Sequence, residues 1–172
     1  PILLLPMIII AFLVRATSKG PSIYWSERVG KDSMVFKMPK FRSMTINAPT
    51  MATNMITNSD KYLTSTGRIL RRTSLDELPQ LYSIIRGDMS FVGPRPALFN
   101  ETKLLALRKQ HGIDKELPGI TGFAQINGRD DISIYDKVNL DLEYMENKSF
   151  WLDLKIIIKT VPKVITSENI SH

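Results

Sequence analysis

The 172-residue chain has no cysteine. Disulfide scaffolds, thiolate metal sites and cysteine nucleophiles are therefore excluded. Histidine is nearly as scarce: His111 and His172 lie far apart in sequence, which rules out an all-histidine metal site. Internal repeats and low-complexity tracts are lacking too. The apolar opening, PILLLPMIIIAFLV over residues 1–14, carries no charge. It falls short of the ~20 residues a helix needs to cross a ~30 Å hydrocarbon core. Carboxylates, hydroxyls, lysine, arginine and backbone groups are left to carry any chemistry.

What is there is an ordinary globular mix. Hydrophobic residues make up 43% and charged residues 23%, which argues against a largely disordered chain, and the length suits about one domain. Lysine and arginine number 23 against 17 acids, a formal net charge of +6. That balance favours anions. Nucleic acid, an anionic bilayer surface and phosphorylated small molecules all fit, as does a merely solvated basic surface.

Two segments face the membrane question. In the opening run Pro6 removes an amide donor and is expected to break a helix near its middle, and Arg15 closes the run. No basic residue precedes it and Ala16-Thr17-Ser18 makes a poor cleavage site, so a signal peptide fits badly. A buried core helix and a segment that enters the bilayer and turns back both remain open. The chain opens on Pro1 rather than Met, so residues upstream are expected; were they apolar, a full span would be possible. Near the other end, Phe150, Trp151, Leu154, Ile157, Ile158 and Val161 recur at helical spacing, with Lys155 and Lys159 one turn apart. Such a helix suits the headgroup region. Packing against its own domain is the plainer reading, and Pro162 is expected to end or kink it.

Between these ends, Ser22–Val29 and Val35–Met44 read as extended segments joined by the turn residues Gly30-Lys31-Asp32-Ser33, a hairpin. Residues 45–60 read as a loop. From Lys61 to Arg72, apolar Leu63, Ile69 and Leu70 are interleaved with Arg68, Arg71 and Arg72. Ser74 to Arg86 is predicted helical, with Ser74 and Glu77 forming a capping box, Leu78, Leu81, Ile84 and Ile85 at helical spacing, and Gly87 as the stop. Glu101 to His111 is a further helical run, ending at Gly112.

Four clusters carry candidate chemistry. Asp76 and Glu77 are first-turn acids, which a helix dipole favours on structural grounds alone. The same position also attracts phosphoryl groups, where one carboxylate could act as nucleophile toward phosphorus and its neighbour hold magnesium. Prolines on both sides of Arg95 restrict its backbone and pre-aim a guanidinium suited to phosphate, or simply make a rigid turn. Lys37, Lys40 and Arg42 form a third cluster; Lys40 and Arg42 share one strand face, toward an anion or toward solvent. Pro118-Gly119-Ile120-Thr121-Gly122, followed by Gln125, Asn127, Gly128 and Arg129, permits close backbone approach to a ligand or marks ordinary turns.

Jointly these pieces resemble the bacterial sugar transferase family, the monotopic polyprenyl-phosphate sugar-phosphate transferases (phosphoglycosyl transferases). The likeness runs through Lys40-Phe41-Arg42-Ser43-Met44, Ser74-Leu75-Asp76-Glu77-Leu78-Pro79-Gln80-Leu81 and Gly87-Asp88-Met89-Ser90-Phe91-Val92-Gly93-Pro94-Arg95-Pro96. It continues through Pro118–Gly122, Asn127-Gly128-Arg129 and Asp141 of Leu140-Asp141-Leu142-Glu143-Tyr144, covering nearly the whole chain in order. The resemblance implies transfer of a sugar 1-phosphate from a UDP-sugar to undecaprenyl phosphate at the cytoplasmic face of the bacterial inner membrane. UMP would leave, magnesium would be required, and a surface glycan would be started. It implies Asp76 as a covalent nucleophile and Glu77 as the magnesium ligand, with Lys40, Arg71, Arg95, Arg129 and Asp141 in the polar site. It also implies a re-entrant membrane helix over residues 1–20, broken at Pro6, and a cytoplasmic catalytic domain over residues 21–172 with interfacial helices. The fold class expected is α/β, helix-rich and irregular, with a small sheet or hairpin.

Three positions depart from the family pattern. Leu5 precedes Pro6 where serine is common, Phe123 replaces a common tryptophan, and no basic residues precede the membrane segment. None touches the acidic pair. The rival reading is a non-catalytic basic module for membrane surface or nucleic acid, and a magnesium phosphohydrolase is a third. Cations interleaved with an acidic pair, without a recognisable binding motif, speak against a dedicated nucleic-acid binder. The donor sugar is not legible, and a homo-oligomer is compatible with the sequence without being indicated by it.

Overall fold

A computed structural model describes residues 3–49, 59–128 and 132–166. The chain is mixed α/β: α1 (Leu4–Thr17), β1 (Ile23–Val29), β2 (Val35–Phe41), α2 (Ser65–Arg72), α3 (Leu81–Arg86), β3 (Ser90–Val92), β4 (Ala97–Leu98), α4 (Thr102–Gln110), β5 (Gly119–Thr121), α5 (Phe123–Ile126), α6 (Ile134–Asn147) and α7 (Phe150–Thr166). The hairpin expected from the turn residues is present. β1 and β2 pair antiparallel from Ile23↔Phe41 to Val29↔Val35, and the Gly30 amide donates to the Met34 carbonyl at 2.8 Å. β4 joins the free edge of β1 through Arg28↔Leu98 and Val29↔Ala97, which makes a three-stranded sheet. A separate parallel pair unites β3 and β5 through Ser90↔Gly119 and Val92↔Thr121.

Three small apolar clusters hold these pieces. Ile10 and Val14 of α1 pack on Phe41 and Leu70. Val92, Ile126, Tyr144 and Ile156 form a second cluster, with Phe123 packed against it. Ala97, Leu104, Ile113 and Val138 form the third. Phe123 thus fills apolar space beside α7. The segment from Val92 to Ala97 bridges the second and third clusters, which anchors both ends of the loop that carries Arg95.

Three sequence expectations are corrected. The run from Ser74 to Arg86 is a 3-10 turn over Leu75–Gln80 followed by the short α3, not one capped helix. Ser74 sits in the left-handed region (φ 54°) and its side chain caps nothing. Glu77 points to Lys40 instead. Pro79, lacking an amide hydrogen, cannot close an α-helical bond inside this stretch. Gly87 does stop α3, at φ 84°. In α1, Pro6 lies in the first described turn, where its missing amide hydrogen costs no helical bond, and the helix continues to Thr17. Pro162 likewise fails to end α7, which continues to Thr166.

Both terminal helices show apolar side chains to solvent. On α1, Leu5, Ile8 and Phe12 face outward, opposite the packed Ile10 and Val14. On α7, Ile156 is wholly buried while Phe150 and Trp151 are 73% and 75% exposed. The α7 helix therefore packs on its own domain by one line of residues and leaves a second apolar line uncovered. Among the described residues no helix is long and apolar enough to cross a membrane.

Candidate active site

The 3-10 turn lies along β2, and this brings the acidic pair against the strand's cations. Tyr24, Ser26 and Arg28 of β1 lie on the same face as Lys40, because directly paired residues of adjacent strands point the same way. Lys40 Nζ donates to Glu77 Oε1 at 3.0 Å, and Arg95 Nη2 approaches the same oxygen at 3.5 Å. Arg71, from the last turn of α2, donates through Nε to Ser43 Oγ at 3.0 Å. Its charge acts on Asp76 and Glu77.

Asp76 sits at the centre of this field. Its residue is 7% exposed, yet among the described residues no hydrogen bond or ion pair reaches its carboxylate. Burial pushes the carboxyl up to about 6; Lys40 opposes the rise, the adjacent Glu77 adds to it, and Arg71 and Arg95 oppose it. The group is still largely ionised near neutrality. Lys40 is held below its ordinary value by burial, against the attraction of Glu77. Arg71 is lowered by burial as well, against Asp76 and Glu77. The arrangement can accept an anion: a desolvated carboxylate stands among cations whose own solvation is poor.

Other candidates fall elsewhere. Lys37 stands across from Glu27 on the strand face opposite to Lys40. Arg42 donates to the Pro21 carbonyl at 2.9 Å and lies over the Tyr24 ring, so its contacts diverge from those of Lys40. Asp141, only 1% exposed, pairs with Arg108 of α4. Among the described residues its link to the site runs through Arg108, whose Nη1 donates to the Arg95 carbonyl. Arg129 lies outside the described residues. Arg28 was not singled out from sequence, though its two-residue spacing from Ser26 on a strand was the signal available. Its guanidinium donates to Ser26 Oγ at 3.0 Å and to the Pro96 carbonyl at 3.1 Å. Burial, then the neighbouring charge of Arg95, lower it to about 10. Arg108 offered no comparable signal; a basic residue in a last helical turn is ordinary.

Magnesium takes one or two carboxylates and completes its shell with phosphate oxygens and water. The adjacent Asp76 and Glu77 fit that donor set. Among the described residues no group of three Asp, Glu, His or Cys forms a protein-only cage.

A buried acid in a basic cradle defines a site suited to an anion. The chain belongs to the bacterial sugar transferase family, whose model matches residues 1–167. It is 43% identical over 160 residues to the uncharacterized sugar transferase EpsL of Bacillus subtilis (strain 168), covering 93% of this chain and 78% of that one. It is 42% identical over 161 residues to the UDP-glucose:undecaprenyl-phosphate glucose-1-phosphate transferase of Escherichia coli (strain K12), covering 90% of this chain but 35% of that one. The undecaprenyl-phosphate galactose phosphotransferase of Salmonella typhimurium (strain LT2) is 35% identical over 178 residues, with 93% and 37% covered. The chain thus spans little more than a third of these last two relatives.

Proposed function

We propose that the chain transfers a sugar 1-phosphate from a UDP-sugar to undecaprenyl phosphate, releasing UMP, as the membrane step that begins a surface glycan. One observation carries this reading: Asp76 is a buried, ionisable carboxylate with no bonded partner among the described residues, set among Lys40, Arg71 and Arg95. The printed activities of the Escherichia and Salmonella relatives support the donor and the acceptor.

In the first displacement an Asp76 carboxylate oxygen attacks the sugar-linked phosphorus. The bond from that phosphorus to the bridging oxygen breaks, and UMP leaves with the electron pair. In the second, an oxygen of undecaprenyl phosphate attacks the same phosphorus, and the Asp76 carboxylate departs. Two steps let a water-soluble donor and a lipid acceptor use one site in turn. An anion approaching a diphosphate needs its charge screened, which is the part assigned to Lys40, Arg71 and Arg95, with Arg129 joining them. Glu77 is the residue that would hold magnesium, which when bound supplies further screening of phosphate charge. The uncovered apolar lines of α1 and α7 suit embedding at headgroup depth on the cytoplasmic face, with residues 1–20 as the membrane segment and 21–172 as the catalytic domain.

The test is UMP release across a panel of UDP-sugars, with and without undecaprenyl phosphate, for the wild type and Asp76→Asn. Wild-type release with a labelled phosphosugar adduct on Asp76, and neither in the variant, is expected. Turnover retained in Asp76→Asn would overturn the assignment.

A further inference from the structure

The loop Gly93-Pro94-Arg95-Pro96 has an unusual backbone problem. Pro94 and Pro96 have no amide hydrogen, so the loop can be tethered chiefly through its carbonyls. Three consecutive carbonyls are held, each from a different quarter. The Gly119 amide donates to the Pro94 carbonyl at 3.0 Å. Arg108 Nη1 donates to the Arg95 carbonyl at 2.8 Å. Arg28 Nη1 donates to the Pro96 carbonyl at 3.1 Å. The backbones of β3 and β5 meet closely beneath: a Cβ on Gly119 would lie 2.2 Å from the Gly93 nitrogen.

Arg108 is itself fixed. Its Nε and Nη2 donate to Asp141 Oδ2 at 3.0 and 2.7 Å, so every guanidinium nitrogen is engaged by α6 or by the loop. Arg28 is fixed through Nε on Ser26. A lysine has a single terminal nitrogen and lacks the planar fork that holds an acid and a carbonyl at once.

We infer that Arg108, aligned by Asp141, and Arg28 are positioning residues that grip the Arg95 and Pro96 carbonyls from opposite elements and so aim the Arg95 guanidinium at the reacting phosphate beside Glu77. This rests on the proposed transfer reaction and assigns Asp141 a place behind the site, acting through Arg108, instead of contact with substrate. The clamp also explains why Arg28 and Arg108 are spent on backbone oxygens so near a site that needs cations.

The test is a double-mutant cycle read by UMP release. Arg108→Gln with Asp141→Asn removes the clamp without stranding a buried charge, and Arg95→Ala removes what the clamp aims. If the clamp works through Arg95, Arg95→Ala lowers kcat about 100-fold in the wild type and less than about 3-fold once the clamp is gone. The same 100-fold loss in both backgrounds would show a purely structural pair and overturn the inference. Should the double variant fail to fold, Arg28→Lys, which loosens the grip on the Pro96 carbonyl, carries the same cycle: a loss on Arg95→Ala smaller than in the wild type supports the clamp, and an undiminished loss overturns it. A wild type that releases no UMP from any donor defeats the transfer reading itself, whereas an active wild type with additive losses defeats only the clamp.

Discussion

Asp76 and Asp141 are both buried aspartates, and burial raises both carboxyls above the ordinary range. They differ in what they touch. Asp141 receives two hydrogen bonds from Arg108, deep between α4 and α6. Asp76 receives none among the described residues, although four cations lie in its neighbourhood or one residue beyond: Lys40, Arg71, Arg95 and Arg28. A satisfied buried acid stabilises an arrangement; an unsatisfied one costs stability and keeps its lone pairs available. The contrast separates the residue that reacts from the residue that holds.

The same chemical change at the two positions puts this contrast at risk. The largest effect is on turnover. Asp76→Asn lowers UMP release by at least about a thousandfold, the scale lost with a nucleophile, and abolishes covalent labelling. Asp141→Asn leaves labelling detectable; an unlabelled but folded Asp141→Asn protein would break the distinction.

Stability comes next. Asp141→Asn relieves a desolvated carboxylate but strands the Arg108 charge that two hydrogen bonds now compensate; the stranded charge outweighs the relief, and the change costs about 3 kcal/mol in urea unfolding. Asp76→Asn has the opposite sign. The folded Asp76 carboxyl keeps its proton up to about 6, while the unfolded chain releases it near ~3.9. Between those values the folded state binds more protons, so this residue's contribution to stability declines as pH rises through the window. At pH 7 the ionised carboxylate costs up to about 3 kcal/mol. Asp76→Asn therefore unfolds at a higher temperature than the wild type at pH 7, and the difference closes near pH 4. A variant less stable at pH 7 would mean that unseen bonds satisfy Asp76.

The smallest effect lies in the pH profile. Because attack requires the ionised carboxylate, kcat/KM falls about tenfold per unit below pH about 6 and flattens above it. An acid limb near 4 would show that bound cations cancel the burial effect.

Much of the fold was legible because its signals are local. The hairpin followed from Gly30–Ser33 between extended runs, and the stops at Gly87 and Gly112 followed from residues that enter the left-handed region without strain. The Ser74 capping box misled. A side chain as long as Glu77 has two possible partners, its own helix amide or a lysine 37 positions away, and a half-buried charge pair outweighs a local cap. Pro162 does not end α7, because a proline removes one helical bond without forbidding the turns on either side.

By itself, the sequence determined the family, the acidic pair, the hairpin and the proline-flanked arginine, because each is written in contiguous residues with turn or charge chemistry of its own. The tertiary structure alone decided that Lys40 meets Glu77, that Arg42 turns away to Pro21, and that Arg28 and Arg108 close on neighbouring carbonyls of one loop. These pairings join residues far apart along the chain, and which cation finds which oxygen is settled by packing geometry and the cost of leaving a buried polar group unpaired.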